Sequence, residues 1–512
     1  MVAAHDSVVV LDFGSQYTQV IARRIREARV LSIVLPYDTP ADRIAAERPK
    51  GIILSGGPSS VYDEGAPQGD PRLFDLGLPV LGLCYGMMWI ARRFGASVAS
   101  APGREYGRAV VAVDGGRLFR GLGPEETVWM SHGDHVEAAP PGFTVTAHTS
   151  NAPVAAFENT ARGLYGIQGH PEVHHSEHGA QMLENFLYDV CGARATWTMA
   201  SFREKAIGRI RETVTEGIVL GALSGGVDST VTAVLLQQAL GGRFRGVFVD
   251  TGLLRKNEGR QVLEMFRHLG LPVEGVDASD RFFSGLAGVT EPERKRKIIG
   301  GLFIDVFAEN ARAVDGAVWL AQGTLYPDVI ESVSIKGPSS VIKTHHNVGG
   351  LPEKLGFKLV EPLRELFKDE VRRLGEELGI PHEMLWRHPF PGPGLAVRIP
   401  GEVTRERAHV LQEADAIFME ELRASGYYEQ TAQAFAVLLP VRSVGVMGDN
   451  RTYENVVALR AVTTLDFMTA DWARLPHDLL DRTSRRIVGE VRGVNRVVYD
   501  VTSKPPGTIE WE

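Results

Sequence analysis

Over the first 190 or so residues of this chain short apolar runs alternate with amphipathic stretches, and such runs lead into glycine-containing turns. Ser7–Phe13 (SVVVLDF), Gly51–Ser55 (GIILS) and Pro79–Leu83 (PVLGL) are predicted strands, and Gln16–Arg26 is a predicted helix. Short apolar strands alternating with amphipathic helices predict an α/β fold built on a mostly parallel, helix-covered sheet. The rhythm breaks near Cys191–Thr198, and Phe202–Thr213 begins a new helix. A second series follows: strands at Gly217–Ala222, Arg245–Val249 and Val273–Val276, with helices at Thr230–Leu240 and Glu258–Leu269 between them. That βαβαβ run is the nucleotide-binding arrangement of a doubly wound sheet. It continues through Val318–Ala321 to a helix at Lys368–Leu378. His388–Gly394 (HPFPGPG) then interrupts it, since so much Pro and Gly can neither extend a helix nor pair well in a sheet. These breaks divide the 512 residues into three expected domains, 1–195, 196–388 and 389–512, the last a small α/β unit.

Composition excludes several functions. With 55 Lys+Arg against 63 Asp+Glu the net charge is −8, so the chain lacks the broad basic face that holds a nucleic-acid backbone. The two cysteines, Cys84 and Cys191, rule out a disulfide scaffold and a Cys-rich zinc site. No apolar run approaches the ~18–20 residues that cross a membrane. The start carries Asp6 and Asp12 where a signal peptide needs a basic end and an apolar stretch, so a cytoplasmic protein is expected.

Two glycine-bracketed turns carry chemistry. In Gly82-Leu83-Cys84-Tyr85-Gly86 a cysteine stands between a buried strand and the predicted helix Met87–Phe94. Small neighbours permit the strained turn that exposes a nucleophile at a helix N-terminus, whose partial positive charge favours thiolate. A buried, inert cysteine would fit the same five residues. Gly166-Ile167-Gln168-Gly169-His170-Pro171-Glu172 supplies what a nucleophile needs, a histidine as base and a carboxylate two residues on to orient it. Ser55-Gly56-Gly57-Pro58 ends a strand with bare backbone N–H groups that can hold an oxyanion.

Together these segments resemble the class I glutamine amidotransferases over roughly the first 190 residues. The resemblance implies that Cys84 attacks the glutamine amide, with His170 as base and Glu172 as its orienter. It further implies an oxyanion hole from Gly57 and Tyr85, and a glutamine-binding loop at Ser131-His132-Gly133-Asp134, with roles for Ser131, His132 and Asp134. One position departs from the family pattern: Met88 stands where glutamine usually helps to seat the substrate, and a thioether is a poor hydrogen-bonding replacement.

The second turn, Ser224-Gly225-Gly226-Val227-Asp228-Ser229-Thr230, joins a strand to a helix. Its glycines let backbone amides approach a phosphate, and its hydroxyls and the helix end add donors. It has no Walker-type lysine. A Gly-rich helix start capped by Ser or Asp is the plainer reading of such a loop. In the βαβαβ setting it resembles the S-G-G-x-D-S loop of the ATP pyrophosphatases, which implies binding of ATP, with Mg²⁺ held at Asp228. Val249-Asp250 ends the next strand, where nucleoside contacts fall in such sheets.

The segments Leu320–Ser332, Lys343–Asn347, His388–Gly394 and Lys504–Glu512 resemble the glutamine-hydrolysing GMP synthase family, which fuses the two modules. That likeness spans essentially the whole chain. It implies adenylation of xanthosine 5′-monophosphate by ATP, amination by glutamine-derived ammonia to GMP, and a homodimer formed through the third domain. It also implies adenylation roles for Asp328, Glu331 and Lys343, the last on a lid. Arg296, Gln433, Arg496, Lys504 and Glu510 would hold the nucleotide. Cations suit its dianionic phosphate, and a carboxylate and an amide suit the base. A pyrophosphatase making NAD, asparagine or a thiolated tRNA, and a non-catalytic nucleotide sensor, are the rival readings.

Overall fold

The structure is a computed structural model that describes residues 5–333, 356–447, 450–464, 467 and 469–512. It forms two compact units. One holds the described residues up to Lys205 together with the helix Tyr326–Val333, and the other holds Ala206–Leu325 and the described residues from 356 onward.

The first unit is built on nine strands: β1 (Ser7–Asp12), β2 (Leu31–Pro36), β3 (Gly51–Leu54), β4 (Val80–Leu83), β5 (Val98–Val113), β6 (Glu125–Val136), β7 (Thr144–His148), β8 (Ala156–Asn159) and β9 (Leu164–Ile167). Their order is β2-β1-β3-β4-β9-β8-β7-β5-β6. Neighbours from β2 to β9 are parallel and the rest antiparallel. Every residue of β3, β4 and β9 is buried, which is why their sequences are apolar without alternation. The helix after β4 spans Tyr85–Arg93, starting two residues before the expected Met87 because the turn at Cys84 uses a single residue.

In the second unit β10 (Ile218–Leu223), β11 (Phe244–Asp250), β12 (Val273–Asp277), β13 (Ala317–Ala321) and β14 (Lys358–Val360) form an all-parallel sheet in the order β12-β11-β10-β13-β14. The chain winds outward from β10 in one direction and then from β13 in the other. A crevice therefore opens beyond the C-terminal ends of β10 and β13, where ligands bind in such sheets. The helix after β10 spans Val227–Leu240 rather than beginning at Thr230, so the second half of the phosphate loop is the helix's first turn.

A further sheet joins β15 (Gln433–Met447), β16 (Asn450–Thr463), β17 (Asp471–Trp472) and β18 (Val494–Tyr499), with β16 pairing all three others. Helices Arg405–Ala424 and His477–Glu490 pack on it. One apolar core runs from Leu220 and Val247 through Leu395, Leu411 and Phe418 to Leu459 and Val494, so the break expected at 388/389 lies inside this unit.

Candidate functional site

Cys84 is the residue between β4 and its helix, and its backbone takes φ 48°, ψ −105°, a region L side chains rarely occupy. The glycines on either side are there by necessity. A Cβ on Gly82 would stand 2.5 Å from the backbone of Gly86 and Met87, and one on Gly86 would stand 2.5 Å from the Leu54 carbonyl oxygen. The turn thus lies tight against β3, and only glycine lets strand and helix pass at that distance.

The base and its orienter meet the thiol from β9. His170 Nδ1 lies 2.8 Å from Glu172 Oε1, and Glu172 is fully buried. Burial disfavours a charged imidazole, but hydrogen bonds with Cys84 and Glu172 outweigh it, so His170 binds its proton well above the ordinary histidine range. An imidazole held between a carboxylate and a thiol in this way is placed to take the thiol's proton. Tyr17 packs its ring edge-on against His170, centroids 5.0 Å apart.

These groups open into a cavity of about 610 Å³. Gly57 and Tyr85 line it, as do Met88, Ser131, His132, Gly133 and Asp134, so the expected oxyanion and glutamine-binding positions come together around Cys84. Tyr85 is the first residue of its helix, and its N–H has no partner within that helix. His132 is buried with Nε2 3.3 Å from Glu105 Oε2. Burial holds its pKa below the usual histidine value, against the pull of Glu105.

Other lining residues had not been singled out from sequence. Gly14, Ser15, Gln16 and Tyr17 form one wall. Gln168, fully buried and not part of the lining, sets its Nε2 3.9 Å from Cys84 Sγ. Gln168 lies inside the histidine motif, and its place two residues before His170 was the signal for it. The Gly14–Tyr17 turn carries no comparable mark.

The second site lies at the crevice of the parallel sheet. Ser224 Oγ accepts from the Gly226 N–H (3.3 Å), and Ser229 Oγ and Thr230 Oγ1 donate to the Gly226 carbonyl (3.0 and 2.8 Å). Gly225 takes φ +74°, with Val262 packed where a side chain would go. Asp228 is gripped by Lys368, whose Nζ lies 2.6 Å from both carboxylate oxygens. The loop without its own lysine therefore receives one from the helix Lys368–Glu377, 140 residues on. Asp250 is partly buried, which raises its pKa. Val249 packs its side chain into the core, so any nucleoside contact it makes comes from its main chain.

The expected nucleotide ligands divide. Gln433 Nε2 donates to Glu510 Oε1 at 2.6 Å, and Glu510 is also held by Arg398, a buried guanidinium that sequence reasoning missed. Lys504 Nζ donates to the Phe467 carbonyl (2.7 Å), and Arg496 stands exposed on β18. Arg296 donates to the main-chain oxygen of Glu512, so its guanidinium faces the closing segment of the chain. Asp328 and Glu331 lie on the helix Tyr326–Val333, which belongs to the first unit, and Lys343 lies outside the described residues.

Three family models match the chain: glutamine amidotransferase class-I over residues 9–190, NAD synthase over 201–296, and GMP synthase C terminal domain over 420–511. The NAD synthase match alone would leave a rival reading open; the C-terminal match points away from it. A glutamine-hydrolysing GMP synthase of Chlorobaculum tepidum is 58% identical over the full length of both chains. Those of Fusobacterium nucleatum and Carboxydothermus hydrogenoformans are 55% and 57% identical, with 99% of each chain covered. This chain belongs to the glutamine-hydrolysing GMP synthases. As a GMP synthase family member it is an enzyme in which an amidotransferase module and an ATP pyrophosphatase module are joined in one polypeptide. Among the described residues, no helix is long and apolar enough to cross a membrane.

Proposed function

We propose that this chain makes GMP from xanthosine 5′-monophosphate, ATP and glutamine, with the two chemistries assigned to separate sites. At the first, the Cys84 thiolate attacks the glutamine side-chain carbonyl. The developing oxyanion is received by the N–H groups of Gly57 and Tyr85. His170, oriented by Glu172, passes a proton to the departing ammonia. Water then hydrolyses the glutamyl thioester. Ser131, His132 and Asp134 seat the amino-acid end of glutamine.

At the second site, Ser224–Thr230 cradles the ATP phosphates and Asp250 lies near the nucleoside. The O2 of xanthosine monophosphate attacks the α-phosphate and pyrophosphate leaves; ammonia then displaces AMP at C2. An oxo group is a poor leaving group and AMP a good one, which is what the ATP is for. Mg²⁺ is bound in such sites by phosphate oxygens with one or two carboxylates. Asp228, an accessible carboxylate on the loop's helical turn, is a fitting donor, and the ion would neutralise the phosphates. Asp328, Glu331 and Lys343 are assigned to adenylation, and Arg296, Gln433, Arg496, Lys504 and Glu510 to the purine nucleotide. We retain 1–195, 196–388 and 389–512 as functional divisions and a cytoplasmic location.

A homodimer through the third division is part of this reading. In the β15–β16 ribbon Val444 lies opposite Tyr453, and Val446 shares their face; all three are exposed. An uncovered apolar face on a two-stranded ribbon suits a second copy of the chain.

One observation carries the reading: a thiol–imidazole–carboxylate line at a strained elbow and a phosphate loop at a sheet's switch point occur in one polypeptide. Purified protein given ATP, Mg²⁺, xanthosine monophosphate and glutamine should release GMP and pyrophosphate. Cys84→Ala should abolish the glutamine-driven reaction and keep the one driven by ammonium salts. Equal loss with both ammonia sources, in a folded variant, would refute separate sites.

A further inference from the structure

The segment Thr502–Glu512 is held by three side-chain cations that the sequence had not marked for it. Arg460, fully buried, donates to the carbonyl oxygens of Thr502, Thr508 and Ile509. Arg398, also fully buried, grips the Glu510 carboxylate with Nε at 3.1 Å and Nη2 at 2.9 Å. Lys295 reaches Glu512 Oε2 at 2.5 Å from the helix Pro292–Arg312.

Lys295 lies within the charge run Arg294-Lys295-Arg296-Lys297, yet it is 0% exposed. Its ammonium uses all three donors: to Glu512, to the Ala396 carbonyl (3.3 Å) and to the Ile399 carbonyl (2.8 Å). Glu512 in turn takes the Gly401 N–H on its other oxygen, at 3.3 Å. The two carbonyls bracket Arg398, and Glu512 is two residues beyond Glu510. One buried ammonium therefore ties down the backbone on both sides of the Arg398–Glu510 pair. Glu510 is also the acceptor for Gln433.

We propose that the Lys295–Glu512 ion pair is a positioning latch that fixes the Arg398–Glu510–Gln433 cluster in the geometry that receives the purine ring of xanthosine monophosphate. The proposal rests on the assignment of Gln433 and Glu510 to that nucleotide. The latch touches no substrate. Desolvation offsets much of the attraction in a buried pair, so its net contribution to stability is small, and the role proposed for this one is to fix an arrangement. Removing the carboxylate leaves an ammonium with two carbonyl partners and no counter-charge, which burial already pushes toward a lower pKa. The segment then loses its register on the Ala396–Gly401 loop, and Glu510 loses its fixed place.

The test compares Glu512→Gln with Glu510→Gln in ammonia-driven GMP formation, so that the glutaminase is bypassed. Glu512→Gln should raise the KM for xanthosine monophosphate roughly tenfold, the size of one charge-assisted hydrogen bond. The KM for ATP and kcat at saturating nucleotide should stay within about twofold. An unchanged nucleotide KM in Glu512→Gln, beside a raised one in Glu510→Gln, overturns the latch and leaves the site reading standing. No change in either variant overturns the site reading and the latch with it. A fall in kcat with both KM values unmoved shows a structural role only and also overturns the latch. If Glu512→Gln does not fold, Glu512→Asp, which keeps the charge but shortens the reach, is measured on the same scale.

Discussion

A methionine stands one helical turn beyond Cys84, and the structure puts its side chain on the wall of the cavity into which Cys84 opens, 4% exposed. Residues four apart share a helix face, and the Met88 N–H donates to the Cys84 carbonyl at 3.1 Å. Glutamine here would offer the substrate a donor and an acceptor, where a thioether offers shape and a weak acceptor. Met88→Gln should therefore lower the KM for glutamine by about 2- to 12-fold, the worth of one neutral hydrogen bond of ~0.5–1.5 kcal/mol. Ammonia-driven synthesis should not change. A glutamine titration of both forms checks it; an equal or higher KM in the variant means that Met88 is a packing residue. The same scale explains Lys368. Two oxygens of Asp228 at 2.6 Å hold its ammonium beside the loop Ser224–Thr230.

At the scale of elements, the Pro/Gly-dense stretch His388–Gly394 is less a linker than a packed turn anchored by its histidine. His388 stacks on Tyr428 with centroids 3.9 Å apart and planes 9° from parallel. Its Nε2 donates to the Tyr428 carbonyl (2.9 Å), and its Nδ1 accepts from the Ala434 N–H (3.2 Å). A protonated ring would set N–H against N–H at Nδ1. Burial pushes His388 down to about 4, so the folded protein takes up this proton only near that pH, whereas an unfolded chain does so near 6.5. Stability from this group is complete above about pH 6.5 and is lost as the pH falls toward 4. His388→Asn should flatten that decline, read as urea midpoints at pH 7 and pH 5. An identical pH dependence in variant and wild type would show that other groups set it.

At the scale of the molecule, the two chemistries meet different backbones. The first sheet ends in antiparallel strands that wall the thiol's cavity, while the second keeps all five strands parallel and offers its open end to a nucleotide. The helix Tyr326–Val333 belongs with the first sheet. Val34 donates its N–H to the Tyr326 hydroxyl at 2.5 Å, and the Arg26 guanidinium lies over the Tyr326 and Trp197 rings. The exposed ribbon of β15 and β16 makes a prediction at this scale. Val446→Asp, a charge set on a 75% exposed valine, should convert a dimer to a monomer in sedimentation at micromolar concentration. A wild-type chain that already sediments as a monomer removes the dimer from the reading.

What the sequence determined by itself was local. Burial on both faces leaves a strand such as β3 no polar positions, and a turn in which a Cβ would meet backbone atoms at 2.5 Å leaves no choice but glycine at Gly82 and Gly86, so these elements can be read one after another. The Cys84, His170 and Glu172 constellation was legible for the same reason, each member sitting in its own short motif. Tertiary structure decided the pairings between distant positions. Lys368 reaches Asp228 across 140 residues, and Arg398 reaches Glu510 across 112, with nothing in either local pattern to pair them. It also decided what a charge means. Lys295 reads as one cation in a solvated run, yet it is buried on the helix face that carries Ile299, because its counter-charge arrives from position 512. One core takes residues from both sides of His388–Gly394, since a core is made by side chains from all along the chain closing on one another.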